Sequence, residues 1–277
     1  MIGGGLGASG IFNGITGASN TTTNTKSVII PNSSGNSRYV TVPDDATLSF
    51  VTGEDDDNLD APFTMACWVK DLWAGAGNRG TLWSKGNPSA GSGELEYRIF
   101  AGENRIYIDL QAPGGGSGDY NRTYWTAGTN SFPANETGWI HLVFTYSGVA
   151  GEAIKIYRDS VTYTHAANAG TSFGGMEDLG GSLQFGRLQS TTAYSFNGNL
   201  CQVVFWKDWV ASQQDVDYLY AGGAKHRDPL QGAQNYGGAN YVVGWWPFDA
   251  DLNDHSGNGN NGTAAGSGTV LESDVPS

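Results

Sequence analysis

Basic residues are scarce in this chain. Fourteen Lys and Arg stand against 27 Asp and Glu, a formal charge of −13. Nucleic-acid binding rests on neutralising phosphates, so that partner class is excluded. Cysteine is scarcer still: Cys67 and Cys201 are the only two, and no C-x-x-C occurs. Neither a zinc ribbon nor a disulfide scaffold can be built from them, and two buried thiols are expected. The four histidines show no H-x-H or H-x-x-x-H spacing, which leaves a zinc site without support. His141 lies in a strand-like run and is expected to be a hydrogen-bonded sheet histidine. Long apolar runs are missing, which excludes a membrane span. The first 25 residues carry no Lys or Arg and no apolar core of signal-peptide length; the expectation is a protein made in a cytoplasm without a signal peptide.

Glycine and aromatics are plentiful: 42 Gly, nine Trp and thirteen Tyr in 277 residues, with only 15% charged. That composition fits a strand-and-turn protein with one main domain, not a helical bundle. Gly5, Gly7 and Gly10 have the spacing of a dinucleotide-binding turn, but that turn needs a preceding strand, a following helix and an acid about 20 positions on. Only Met1–Gly4 precede it, Gly14 and Gly17 interrupt any helix behind it, and the first acid is Asp44. Residues 1–36 instead read as a Gly/Ser/Thr/Asn-rich arm with apolar islands at Ile11, Phe12 and Ile15, then Val28, Ile29 and Ile30. Such an arm must be held, either around its own body or on another subunit; the islands suit shallow docking on a neighbour, so it is read as an assembly arm.

From Ser37 the pattern has period two. FTMACWVK puts Phe63, Met65, Cys67 and Val69 on one face, and LEYRIFAGENRIYIDLQ reads as two strands about a turn at residues 101–104. One helix signal interrupts the strands: Ser212 caps SQQDVDYLYAGG with Asp215 three residues on, and Gly222 supplies a left-handed stop.

Three pieces, SGNSRYVTVPDDATLSF with FTMACWVK, GWIHLVFTYSG with AIKIYRDS, and FNGNLCQVVFWKDWVASQQDVDYLYAGG, together resemble laminin G-like domains of the concanavalin A-like lectin/glucanase superfamily. The resemblance covers about residues 37–222. It implies an all-β jelly roll, two antiparallel sheets in a sandwich over residues 37–277, with one short helix and the extended N-terminal arm outside it. GWWPFDADLNDHSGNGNNGT is similar to the segment that commonly opens such domains, but lies near the end, where 241–263 is expected to complete the sheet as a strand and hairpin. Its Trp245 and Phe248 then read as core. The ending ESDVPS resembles laminin G-like proteins of tailed bacteriophages. That implies a non-enzymatic virion protein, such as a capsid decoration, head fibre or tail-associated adhesion subunit. Its partners would be virion proteins, further copies of itself as a homo-oligomer, and cell-surface glycans. A secreted or surface carbohydrate-binding module is the alternative, and a glycan hydrolase the third reading.

The family's glucan-cleaving enzymes imply two acids in an E-x-D-x-x-E pattern, since retaining hydrolysis needs carboxyls about 5 Å apart. Glu94 and Glu96 are the nearest match, but Arg98 and Phe100 follow. No catalytic residue is assigned, and the pair reads as a solvent-facing hairpin edge. No cofactor is required. The acidic run EDDDNLD is either a calcium loop, with Asp55, Asp57 and Asp60 as ligands, or a solvated loop. Trp68, Trp139 and Trp206 read as core or sheet packing. Trp73, Tyr120, Tyr124 and Trp125 lie near Gly-rich loops, where an exposed ring can stack on a sugar while Asp119, Asn121 or Arg122 bonds its hydroxyls; buried loop anchors are the other reading.

Overall fold

The computed structural model describes residues 21–22, 24–30, 32–33, 36–52, 60–73, 79–87, 94–102, 105–112, 120–125, 135–150, 152, 154–163, 167–169, 173–189, 194–223, 226–233, 236–266 and 270–276. Their principal strands are β1 (Ser27–Ile30), β2 (Tyr39–Val42), β3 (Phe63–Lys70), β4 (Arg79–Asn87), β5 (Glu94–Gly102), β6 (Arg105–Gln111), β7 (Tyr120–Trp125) and β8 (Ile140–Tyr146). They continue with β9 (Lys155–Arg158), β10 (Val161–Tyr163), β11 (Ala167–Ala169), β12 (Leu183–Phe185), β13 (Gly198–Lys207), β14 (Val242–Trp246), β15 (Thr263–Ala265) and β16 (Val270–Glu272). Two antiparallel sheets result. The front sheet runs β11-β7-β6-β5-β4-β12-β2-β15; the back sheet runs β10-β9-β8-β3-β13-β1-β16, with β14 also on β13. The fold is the antiparallel all-β sandwich that the period-two pattern implies, consistent with the jelly roll that the resemblance implies.

Inward side chains from both sheets make one core. Trp83 and Phe185 of the front sheet pack on Phe205 of the back sheet at 5.5 and 6.3 Å between ring centres, and Trp246 meets Phe205 at 5.4 Å. Each fully buried large side chain contributes about 1.5–3 kcal/mol against conformational entropy. Cys67 and Cys201 are buried free thiols, and burial pushes both above the ordinary thiol value.

The arm reading is corrected by β1. Ser27–Ile30 pairs with Gly198–Leu200 on one side and with Val270–Glu272 on the other. Val28 and Ile30 have no exposed surface, while Ile29 is half-buried on the opposite side of the strand. The β-branched run has sheet alternation and fills its own core, not a neighbour's surface. A boundary at 36/37 therefore cuts through the sandwich. Residues 24–26 are also strapped to the chain's own C-terminal segment: Asn24 Nδ2 donates to the Pro247 carbonyl at 2.8 Å, and the Thr25 and Lys26 amides donate to Asp249 at 2.7 and 3.0 Å. Ile11, Phe12 and Ile15 lie outside the described residues.

The back sheet changes partner midway along β13. Between Cys201 and Val204 the register with β3 shifts, Gln202 sits at φ 49°, and β14 takes over the edge that β1 leaves. The Gln202 amide closes this seam, donating to Asn24 and accepting from Trp245 Nε1, both at 2.7 Å. Trp245 and Phe248 are both buried. The helix α1 (Gln213–Tyr220) starts at Ser212 with a reciprocal bond to Asp215. Its left-handed end falls on Ala221 (φ 53°), one residue before the expected Gly222, which is left-handed too. Val216 and Leu219 bury against Ala66, Val143, Val204, Trp206 and Trp245. The helix therefore covers the outer face of the back sheet, and the outer face of the front sheet is left to carry other chemistry.

Candidate functional site on the front sheet

Three adjacent strands set up this face. Cross-strand neighbours on one face lie about 5 Å apart, and the register puts Asp109 opposite both Arg98 and Arg122, and Tyr107 opposite both Phe100 and Tyr124. Tyr97, Ile99, Ile106, Ile108 and Leu110 point into the core. Alternation therefore sends Arg98, Phe100, Arg105, Tyr107, Asp109, Tyr120, Arg122 and Tyr124 to the outer side.

Asp109 organises the cluster. It has no exposed surface, and both its oxygens accept charge-assisted bonds: Arg122 Nε at 2.6 Å, Arg122 Nη2 at 2.8 Å and Arg98 Nε at 2.8 Å. The bond to Asp109 raises the Arg122 pKa while burial opposes it, so the guanidinium stays charged. Around this centre the rings form a ladder. Phe100 and Tyr107 stack at 4.4 Å and 2°, and Tyr107 meets Tyr124 at 5.5 Å. Arg98 lies over Phe100 at 4.5 Å, Arg122 over Tyr120 at 4.7 Å and Arg105 over Tyr124 at 4.8 Å. Two guanidiniums, Arg98 and Arg122, thus share a single carboxylate, and a third, Arg105, lies over Tyr124 on the same face, in a chain with a net charge of −13. Each guanidinium has five N–H donors, and Asp109 takes only part of that capacity.

Of the sequence-expected sugar contacts, the structure brings Tyr120 and Tyr124 to this face. Asn121 and Trp125 are corrections. Residues 120–125 form a strand, not a loop, and alternation turns both side chains inward. Asn121 donates to the Glu152 carbonyl at 3.0 Å, and Trp125 stacks on Tyr163 at 3.8 Å. Trp73 pairs through its backbone with Asn135, and its side chain and Asp119 lie outside the described residues. Arg122, expected to bond sugar hydroxyls, is also on this face; Arg98, Phe100, Arg105, Tyr107 and Asp109 were missed as a group. The signal was present in the 101–104 turn, which fixes Arg98 opposite Asp109.

The acidic expectations change more. Glu96 is not on a solvent-facing edge: it is 1% exposed, and its Oε1 lies 2.7 Å from Lys85 Nζ. A bulge at Lys85/Gly86 turns it inward beside Tyr97. Burial pushes the Glu96 carboxyl above its ordinary value, with the Lys85 ammonium opposing. Asp44 and Asp178 complete the group, at 2.7 and 3.8 Å from the same ammonium. These three acids are close enough to one another to hold a metal ion, but Lys85 already fills the position between them, so they fit an ammonium and not calcium. Asp60 is 3% exposed, and its Oδ1 accepts the Met176 amide at 2.7 Å, so it is a core anchor and not part of an exposed calcium loop. Asp55 and Asp57 lie outside the described residues, as does the Glu94 side chain. His141 is buried between Trp68 and Tyr220, at 5.0 and 6.0 Å between ring centres.

Residues 34–217 match the family described as the concanavalin A-like lectin/glucanases superfamily. The chain belongs to this superfamily. The match leaves β1 and β14–β16, which complete both sheets, beyond its ends. A candidate carbohydrate-binding protein from Bacteroides ovatus has the same fold at 16% identity and TM-score 0.57. The likeness covers 92% of this chain and 62% of that one, so the chain spans less than two thirds of its length. A native heptameric SAP-like pentraxin from Limulus polyphemus is similar at 13% identity and TM-score 0.53, with 90% of this chain and 94% of that one covered. At such identities the likeness is one of fold. No curated protein matches the chain in sequence. The outer face of the front sheet of this lectin-like sandwich carries the Asp109 cluster.

Proposed function

We propose that the chain is a non-enzymatic lectin-like module whose front sheet binds saccharides bearing a carboxylate. The observation that supports this most directly is the guanidinium-topped ladder of rings around Asp109, a local cationic surface on an acidic protein. Arg pairs bidentately with carboxylates, and the half-buried rings of Tyr120 and Tyr124 offer apolar contact to a pyranose. The setting proposed is a bacteriophage virion, with virion proteins and further copies of the chain as neighbours. A single lectin site binds at about millimolar Kd, or about −4 kcal/mol, and gains useful strength when displayed in many copies.

Calorimetry on the full chain tests the site, with a disaccharide ending in a uronic acid as the probe and its methyl ester as the control. The acid should bind, the ester should bind about tenfold more weakly or worse, and added salt should weaken the acid. Arg122→Ala should abolish the difference. Equal binding of acid and ester, or binding of neither, overturns the reading. Gold-labelled antibody on purified particles tests the setting, and absence of label from them refutes it.

A further inference from the structure

A second surface lies away from the front-sheet face. The 3₁₀ turn Ala46–Leu48, the end of β13 at Lys207 and Asp208, the 3₁₀ turn Gly238–Tyr241 and the hairpin residue Asn258 enclose an open groove of about 580 Å³. That volume lies within the usual range for small-ligand sites, about 300–1,000 Å³. Tyr241 lines it and is 41% exposed. Among the described residues it is the one exposed Phe, Trp or Tyr side chain; Val149, Val161 and Val210 are its aliphatic counterparts. The other described Phe, Trp and Tyr rings are wholly or partly buried.

The groove's walls are fixed by bonds within the chain. Asp45 holds the Thr47 amide and hydroxyl at 2.9 and 2.7 Å, and Asn260 donates to the same hydroxyl at 3.2 Å. Lys207 Nζ donates to the Ser49 carbonyl at 2.7 Å and the Ala46 carbonyl at 3.3 Å. Asn258 Nδ2 donates to the Val242 and Val243 carbonyls, each at 3.2 Å. Asp208 is held at φ 63°, a left-handed backbone that costs a non-glycine residue free energy, by its amide bond to the Pro62 carbonyl at 2.7 Å. These bonds decide the chemistry left over. The Lys207 ammonium is occupied by backbone carbonyls, and Asp208 brings a carboxylate to the same lining, so the groove has no excess of positive charge. The amide oxygen of Asn258, the Asn240 amide and the Asp208 carboxylate remain as uncharged or accepting groups beside an exposed ring. An uncharged ligand rich in hydroxyls, with one apolar face, suits that set.

We propose that this groove is a second saccharide site, specific for neutral sugars, in which a pyranose face stacks on Tyr241 and its hydroxyls bond to Asp208, Asn240 and Asn258. It shares no residue with the Asp109 cluster and takes uncharged ligands where that cluster takes anionic ones.

Ligand-observed NMR on the full chain tests it, with neutral probes ending in glucose, galactose, mannose and N-acetylglucosamine. At least one should bind. Tyr241→Ala should weaken that probe by about tenfold or more, and Tyr241→Trp should retain it. Arg122→Ala should leave it unchanged, while Tyr241→Ala should leave the uronate disaccharide unchanged. Thermal melting of each variant checks its fold; the exposed position of Tyr241 predicts little change. The site is overturned if no neutral probe binds at about 20 mM, well beyond the millimolar range of weak lectin sites, or if the probe that binds is indifferent to Tyr241→Ala. Neither result touches the acid-against-ester comparison, so the two sites stand or fall separately.

Discussion

Replacing Ile30 by Ala asks whether β1 is part of this chain's own core. Ile30 has no exposed surface, and its Cδ1 lies 2.5 Å from where a Cβ on Gly186 would sit. Gly186 has φ +85° and no side chain to move into a gap. The substitution removes about three buried carbon groups, at about 0.8 kcal/mol each. The cavity left over that glycine adds to the transfer loss, and about 3–4 kcal/mol is expected, inside the usual range for Ile→Ala. Ile29→Ala, on the half-buried side, should cost less than about 1 kcal/mol. Urea unfolding of the isolated chain reads both, as a lower midpoint at constant slope. The loss should not depend on protein concentration, because the contacts are within one chain. An Ile30→Ala midpoint within about 0.5 kcal/mol of the parent, or one that moves with concentration as subunit linkage requires, refutes the placement.

Lys85→Met should cost about 3–5 kcal/mol, because it strands the buried Glu96 carboxylate, and adding Glu96→Gln should recover much of it. Burial already raises the Glu96 carboxyl, so the Lys85→Met deficit should be full above its folded pKa and shrink as pH falls toward the unfolded value; a pH-independent deficit in urea refutes this. Asp274 behaves oppositely. Burial raises its pKa, but bonds from Lys70 and Trp139 outweigh burial and hold it below the ordinary value. Its contribution is complete above the unfolded value, about 3.9, and is lost as pH falls through the folded pKa. Hydrogen-exchange protection in β16, taken relative to the intrinsic rate at each pH, should therefore fall at acid pH, and Asp274→Asn should flatten that fall. Tyr236→Phe removes a buried hydroxyl that accepts from Trp206 Nε1 and donates to the Pro229 carbonyl, each at 2.9 Å. It should cost about 1–3 kcal/mol by leaving those partners unsatisfied, and a neutral urea midpoint argues against the network.

The strands were legible where one residue in two is apolar. FTMACWVK and GWIHLVFTYSG meet in register, Phe63 opposite Tyr146 and Cys67 opposite Leu142. The helix was legible because its cap is written in three residues, Ser212 to Asp215. Segment β1 was misread for a physical reason. Val28–Ile30 is short and is flanked by Gly, Asn and Thr, and the strands that sandwich it lie about 170 and 240 residues away. Local pattern has no access to a partner at that distance, so a core strand and a sticky tail look alike. The buried Glu96 was hidden in the same way, since a bulge breaks the alternation by which a strand position is assigned to a face.

The candidate site shows what register adds to residue type. Tyr120 and Tyr124 were picked for being aromatic beside glycine-rich stretches, and the same rule picked Trp125 and Asn121, which point the other way. A strand read with alternation separates the two pairs at once. Extending the 101–104 turn as a hairpin would then have put Arg98 against Asp109, and the next strand would have added Arg122. What no pattern could supply is that Asp109 is wholly covered while both arginine side chains stay partly exposed, 17% for Arg98 and 26% for Arg122. That asymmetry turns a structural ion pair into a surface that offers donors outward: the acid is spent inside the protein, and the bases are not.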